Sequence, residues 1–159
     1  MKSILKFVTI AVFAAFASTL LLAQGNPLVG TWQLNTAKSK YTPGPAPKSL
    51  TRVVEETADG AKYTMTGVSA DGTPISYSFT VKFDGKDYPV TGTMPGGADS
   101  IAIKKINANH YEATLKKAGK EVGTSKLEIS KDGKVATITS KGTTADGKPS
   151  HTVAVYDKQ

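Results

Sequence analysis

Six glycine-centred turn signals fall at short intervals along this chain, and they constrain its fold more than any other feature. Asp59-Gly60, Asp71-Gly72, Asp84-Gly85, Ala118-Gly119, Asp132-Gly133 and Asp146-Gly147 each separate two short runs rich in Val, Ile, Thr, Tyr and Phe. A tight hairpin turn wants φ > 0 at its central residues, which Gly adopts freely and Asp tolerates. Turn signals at this even spacing read as a meander of antiparallel strands, hence an all-β barrel or sandwich.

Residues 1–23 read as an address and not as part of the fold. Lys2 and Lys6 supply positive charge, 7–22 is an unbroken apolar and small-residue run, and polarity returns at Gln24-Gly25-Asn26-Pro27. This is the pattern of a secretory signal peptide cut after Ala23, or after Ala17, because Leu21 is not the small residue preferred at the −3 position. A retained membrane anchor is the alternative, at the short end of what spans a bilayer. The chain has no Cys, which removes disulfides, thiol catalysis, thiolate metal sites and a lipid-modified cleavage point. Without disulfide staples or an Asn-x-Ser/Thr acceptor, an exported bacterial protein, periplasmic or secreted, is the expectation.

Residues 24–159 then form one domain large enough for a core. Losing Lys2 and Lys6 lowers the formal net charge from +7 to +5. Of the twenty basic residues nineteen are Lys, and Arg52 is the single Arg. Geometric recognition of phosphate or carboxylate favours the planar guanidinium, whereas Lys is a solvated point charge. The basicity therefore reads as a soluble surface. No nucleic-acid partner and no stable membrane insertion of the processed chain are expected, and the expected state is a monomer.

Ten strands account for nearly all of the processed chain, at 28–34, 49–57, 62–69, 74–83, 87–93, 100–106, 110–117, 121–130, 134–142 and 150–157. Three Pro and a Gly within residues 43–47 exclude a regular helix between the first two. Alternation is cleanest where Ile75, Tyr77, Phe79, Val81 and Phe83 interleave with Ser76, Ser78, Thr80 and Lys82. Tyr111, Ala113 and Leu115 oppose Glu112, Thr114 and Lys116 in the same way, while Val122 is out of step with Leu127 and Ile129, which predicts a bulge near Gly123. Strands such as 135–141 are Thr/Ser-rich on both faces, and so weak a hydrophobic pattern suits a ten-strand barrel enclosing water or a ligand. Hairpin pairing would set Lys104 near Glu112 and Lys116 near Glu121, as modest cross-strand support on a solvated face.

At this point the chain resembles the calycins, the lipocalin and fatty-acid-binding protein group, and exported, uncharacterised bacterial lipocalin-like proteins within it. Gly30-Thr31-Trp32 opens the first strand as the G-x-W signature does there, and the ending from Asp132-Gly133-Lys134 to Val155-Tyr156-Asp157-Lys158 is similar to that of the fatty-acid-binding branch. The resemblance implies an up-and-down β-barrel with Gly30 and Trp32 in structural roles. Two departures stand out. A Pro-rich loop replaces the helix–turn–helix lid of that branch, and Ala154 stands where it has an Arg two residues before the final Tyr, here Tyr156. Arg52 could replace that Arg only by facing inward. Lipocalins commonly cover the Trp with a late Arg, and Lys158 is the basic residue near the end here.

No catalytic constellation stands out. His110 and His151 lack metal-pair spacing, and a triad of His151 with Asp99 and Ser100 would be a coincidence of composition. Glu55 and Glu56 are neighbours on a strand and point to opposite faces. The Asp-Gly turns offer one acid each where a calcium loop needs several, so no metal and no cofactor are expected. Trp32 reads as a barrel plug. The leading function is a non-enzymatic binding protein holding a small hydrophobic or weakly polar ligand, lined by Tyr63, Met65, Tyr77, Phe79, Tyr156 and Arg52. The alternative is an envelope or secreted interaction protein using the barrel as a scaffold, with Lys104 and Lys105 as contact residues. An enzyme using His110 or His151 comes third.

Overall fold

The computed structural model describes residues 25–144 and 146–159. The leader read at 1–23 lies outside the described residues. The strands are β1 (Gly30–Leu34), β2 (Lys40–Thr42), β3 (Ser49–Thr57), β4 (Gly60–Val68), β5 (Pro74–Val81), β6 (Asp84–Pro89), β7 (Thr91–Gly92), β8 (Ser100–Lys105), β9 (His110–Lys117), β10 (Lys120–Ile129), β11 (Val135–Thr143) and β12 (Pro149–Lys158). Two 3-10 turns, Thr36–Lys38 and Pro95–Gly97, are the only helical elements among the described residues.

All pairings are antiparallel, and hydrogen bonding runs β6-β8-β9-β10-β11-β12-β1-β3-β4-β5-β7. The two ends of that path, β6 and β7, are one segment interrupted only at Val90. It faces β8 with its first part (Tyr88 opposite Ile101) and β5 with its second (Ser78 opposite Thr91). The sheet therefore wraps into a nearly closed all-β barrel, completed by a segment that changes partner halfway. First and last strands meet in the wall, with Trp32 opposite Lys158 and Leu34 opposite Tyr156.

Twelve strand segments stand where ten were expected. One of the two extra segments comes from the partner change at Val90, which splits the expected strand 87–93. The other is β2, too short and too close to the prolines for alternation to reveal. The detour between β1 and β2 is built by side chains. Asn35 Oδ1 accepts the Lys38 amide at 3.1 Å, and Ser39 Oγ donates to the Asn35 carbonyl at 2.7 Å. The same Ser39 Oγ accepts the Val155 amide at 2.9 Å, which returns the chain to β12. The bulge expected near Gly123 is present, as a register shift between Glu121 and Gly123 against β9. Lys104 does face Glu112 and Lys116 does face Glu121. The ion pairs nevertheless form elsewhere, Lys126 with Glu112 at 3.3 Å and Lys116 with Asp87 at 2.7 Å, because Lys126 faces Glu112 from the other flanking strand and Asp87 lies within reach of a flexible ammonium across β8.

The turns correct one detail of the reading. Positive φ occurs at both central residues only at Ala118-Gly119, with φ of 49° and 76°. At Asp71-Gly72, Asp132-Gly133 and Asp146-Gly147 the Gly alone is left-handed, and the Asp works through its carboxylate. Asp71 accepts the Thr73 amide at 2.9 Å and the Ser69 hydroxyl, Asp132 accepts the Lys134 amide at 3.1 Å and the Ser130 hydroxyl at 2.6 Å, and Asp146 accepts the Thr144 hydroxyl. Each is a hydroxyl–carboxylate clasp around a Gly-closed loop, a use of Asp that competes with the left-handed one. The Ser69 hydroxyl, then the Thr73 amide, hold Asp71 at about 2, below its ordinary 3.8. Ser130 and Thr144 hydroxyls lower Asp132 and Asp146 in the same direction. A carboxylate whose pKa is depressed in the folded state adds stability above its unfolded value, and that contribution is lost as pH falls through the folded one. The urea midpoint should thus be level between pH 7 and 5 and decline between about pH 4 and 2, less steeply in Ser69→Ala. A midpoint unchanged down to pH 2 would show that the clasps carry no stability.

The core lies at one end. Leu28, Trp32, Val54, Ala61 and Val81 are each 1% exposed or less and cluster where the turns at 57–60, 81–84 and 129–135 gather. The loops at 43–48, 69–73 and 93–99 gather with Thr144 at the other end and form a mouth.

Candidate functional site

A cavity of about 590 Å³ opens between those loops. Its origin is an imbalance between two walls. Strands β3 to β5 turn Leu50, Arg52, Tyr63, Met65, Tyr77 and Phe79 inward, whereas β10 to β12, beyond Leu127, Ile138 and Tyr156, offer Gly123, Ser125, Ser140, Gly142, Thr152 and Ala154 toward the mouth. Interiors normally pack to crystal-like density, and side chains this small cannot fill the space across from the large ones. The faces left open for the Thr-rich strand β11 are thereby resolved. Ala136, Ile138, Ser140 and Gly142 point inward, and Thr137, Thr139 and Lys141 belong to the outer face.

The Pro-rich loop borders the mouth through Pro43, Pro45 and Pro47, facing Asp71, Pro95 and Thr144. The link between β1 and β3 is thus short, stiff backbone at the rim. Gly67 and Gly92 keep the wall tight near the rim. A Cβ on Gly67 would lie 2.2 Å from the Ser49 carbonyl oxygen, and Gly92, at φ 91°, would meet that of Ser76 at 2.4 Å.

The structure places Arg52, Tyr63, Met65, Tyr77, Phe79 and Tyr156, the candidates for ligand contact, at the wall of this cavity. The inward direction of Arg52, undecided from sequence, follows from the register. Arg52 lies opposite Trp32 on one side and Met65 on the other, both inward. Its guanidinium sits 4.9 Å from the centre of the Tyr63 ring, and Tyr63 stacks on Phe79 at 4.7 Å and 21°. Arg52 is the one charged residue buried among the described residues.

Burial sets the chemistry of the tyrosines. It pushes the Tyr63 phenol up to about 12 against the opposing pull of the Arg52 guanidinium. Tyr41, Tyr77 and Tyr156 are raised by the same loss of hydration, Tyr41 and Tyr77 further by the neighbouring Tyr156. A phenol with a raised pKa stays protonated at neutral pH and remains a neutral donor. Tyr41 and Met94 escaped the sequence reading because they sit in a three-residue strand and beside a turn. Their only signal is an apolar residue within two positions of a Pro.

At the closed end Trp32 is buried. Its indole Nε1 donates to the Leu28 carbonyl at 3.0 Å, and the Lys158 ammonium lies 5.0 Å above the ring while donating to the Pro27 carbonyl at 3.0 Å. Gly30 makes room for that ammonium, since a Cβ there would stand 2.8 Å from Lys158 Cε. The two histidines fall at opposite ends. His110 Nδ1 is 2.9 Å from Asn107 Oδ1 at the closed end, and His151 is exposed opposite Lys141 near the mouth. Ser100 Oγ donates to Asp99 at 3.2 Å, but three strands separate β8 from β12, so His151 does not join them. Among the described residues no group of three or more His, Asp or Glu is placed to hold a metal ion.

No protein-family model matches the chain, and no curated protein matches it. Solved structures do. A zebrafish ileal bile acid-binding protein complexed with cholic acid aligns at 14% identity and a TM-score of 0.48, over 84% of this chain and 99% of its own. A redesigned β-barrel, mFAP1, bound to DFHBI aligns at 17% identity and a TM-score of 0.43, over 84% and 96%. A second redesigned barrel, mFAP0, also bound to DFHBI, aligns at 18% identity and a TM-score of 0.41, over 83% and 99%.

Proposed function

We propose that this protein is an exported, calycin-like carrier that holds one small, mainly apolar molecule inside the barrel. The observation that carries the reading is the cavity itself, about 590 Å³, which falls within the size of small-molecule pockets. Its walls supply aromatic and aliphatic contact with a few polar groups, the usual composition of such a pocket. Export rests on the leader pattern at residues 1–23, and the calycin affiliation on Gly30-Thr31-Trp32 with the matching C-terminal strand.

The test uses N-phenyl-1-naphthylamine, a neutral probe that fluoresces in apolar surroundings. The expected result is saturable enhancement at one probe per chain, lost in Ala154→Trp, which would fill the cavity from its small-residue wall. Failure of this and other apolar probes to bind would retire the carrier and favour the scaffold reading. Lys104→Glu with Lys105→Glu would then be tested for loss of envelope-partner binding.

A further inference from the structure

We propose that a second recess, a groove on the outer face of β9, β10 and β11, binds an acidic polysaccharide, a polymer carrying both hydroxyls and carboxylates. The inference stands without the carrier reading, because it uses outward side chains and not the barrel interior.

The groove has a volume of about 470 Å³, and its outward lining is Glu112, Thr114, Thr124, Lys126, Thr139 and Lys141. Its origin is the order of side-chain sizes on this face. Pairing aligns Ala102, Thr114 and Thr124 across β8, β9 and β10, and Lys141 follows on β11. The next outward residues on either side are long. Lys104, Glu112 and Lys126 stand toward the closed end, Lys116 and Glu121 toward the mouth. Outward residues recur about 6.8 Å apart along a strand, and strands lie about 4.8 Å apart. A row of short side chains between two rows of long ones is therefore a valley running across the strands. Ala102 shows its depth. It points away from the cavity that its neighbours Ile101 and Ile103 line, yet it is only 8% exposed.

The lining excludes most ligand classes. It has no aromatic ring and no large apolar side chain, so it offers nothing to an apolar molecule or to stacking bases. The backbones of β9 and β10 are paired with strands on both sides, so no peptide strand can be added there. What remains is hydroxyl and ammonium. Thr114, Thr124 and Thr139 can each donate and accept, as the hydroxyls of a sugar do, while Lys126 and Lys141 only donate.

Charge sets the sign of the ligand. Glu112 is taken by Lys126 at 3.3 Å, and Asp87, at the β6 end of the valley, by Lys116 at 2.7 Å. Among the described residues Lys104 and Lys141 join no ion pair. They stand on β8 and β11, three strand spacings or about 14 Å apart. A small anion reaches one of them, and a polymer with a carboxylate on every repeat reaches both. Each exposed contact is weak alone. Linking several along one chain raises the affinity.

The test is binding of the full chain, at physiological salt, to three polymers of matched length: polygalacturonate, dextran and polyacrylate. The first carries hydroxyls and carboxylates, the second only hydroxyls, the third only carboxylates. Polygalacturonate should bind roughly tenfold more tightly than either of the others, or better. Lys141→Gln should weaken it about fivefold and Thr124→Val about threefold. Lys131→Gln removes the same charge from a turn at the closed end and should leave the affinity unchanged. All three positions are exposed, so none of these variants opens the core. Equal binding of dextran or polyacrylate in the wild type would overturn the site and needs no variant. An equal loss in Lys131→Gln would also overturn it, by reducing the attraction to net charge, as would failure of polygalacturonate to bind. Displacement of N-phenyl-1-naphthylamine by polygalacturonate would put the polymer in the cavity and overturn the outer site. Probe binding that no polymer disturbs leaves the carrier reading standing whichever way the groove falls.

Discussion

Trp32→Ala is expected to lower the unfolding free energy by about 3–5 kcal/mol, the range for emptying a large aromatic site in a core. The residue is 1% exposed, and three separate contacts converge on it: the Leu28 carbonyl, the Lys158 ammonium and the packed Leu28–Val54–Val81 cluster. Domains of this size are held by only about 5–15 kcal/mol, so one substitution at the closed end should remove roughly a fifth or more of the total. Lys158→Met is the control. It deletes an ammonium over the ring but no core volume, and should cost no more than about 1 kcal/mol. Urea unfolding followed by tryptophan-independent circular dichroism would measure both. A loss below about 1 kcal/mol for Trp32→Ala would mean that the closed end can collapse around the hole and that Trp32 is no plug.

Tyr63→Ala should be the second large loss, also about 3–5 kcal/mol, and here the effect reaches into the candidate site. Tyr63 is 1% exposed, stacks on Phe79 and supports the Arg52 guanidinium. A double-mutant cycle pairing Tyr63→Ala with Arg52→Met separates packing from support. Its coupling energy should come to about 0.5–2 kcal/mol, the size of a guanidinium on an aromatic face as desolvation increases. A coupling near zero would show that the ring does not hold the guanidinium in place.

The placements of Trp32 and of the β5 aromatics were legible in the sequence to different degrees. Gly30-Thr31-Trp32 at the start of a strand marked Trp32 as structural before any contact was known, and alternation placed Tyr77 and Phe79 on one face. The Thr/Ser-rich strand β11 resisted, because a period of two carries no information when both faces are polar. Its inward set was settled by pairing, with Ala136 opposite Tyr156 and Ile138 opposite Ala154. Arg52 was undecidable for a related reason. An Arg on an inward position breaks the apolar pattern from which direction is inferred, so the residue erases the signal of its own placement.

By itself the sequence determined the all-β meander, its turns, most strand positions and the bulge at Gly123. These depend on local backbone freedom and on a period of two that neighbouring residues carry together. Only the tertiary structure decided that the segment from Asp84 to Gly92 would close the barrel by changing partner, and that large side chains on β3 to β5 would face small ones on β10 to β12. Cavity and buried cation both arise from residues far apart in the chain, and the distance between them is set by barrel closure and register, which no local pattern encodes.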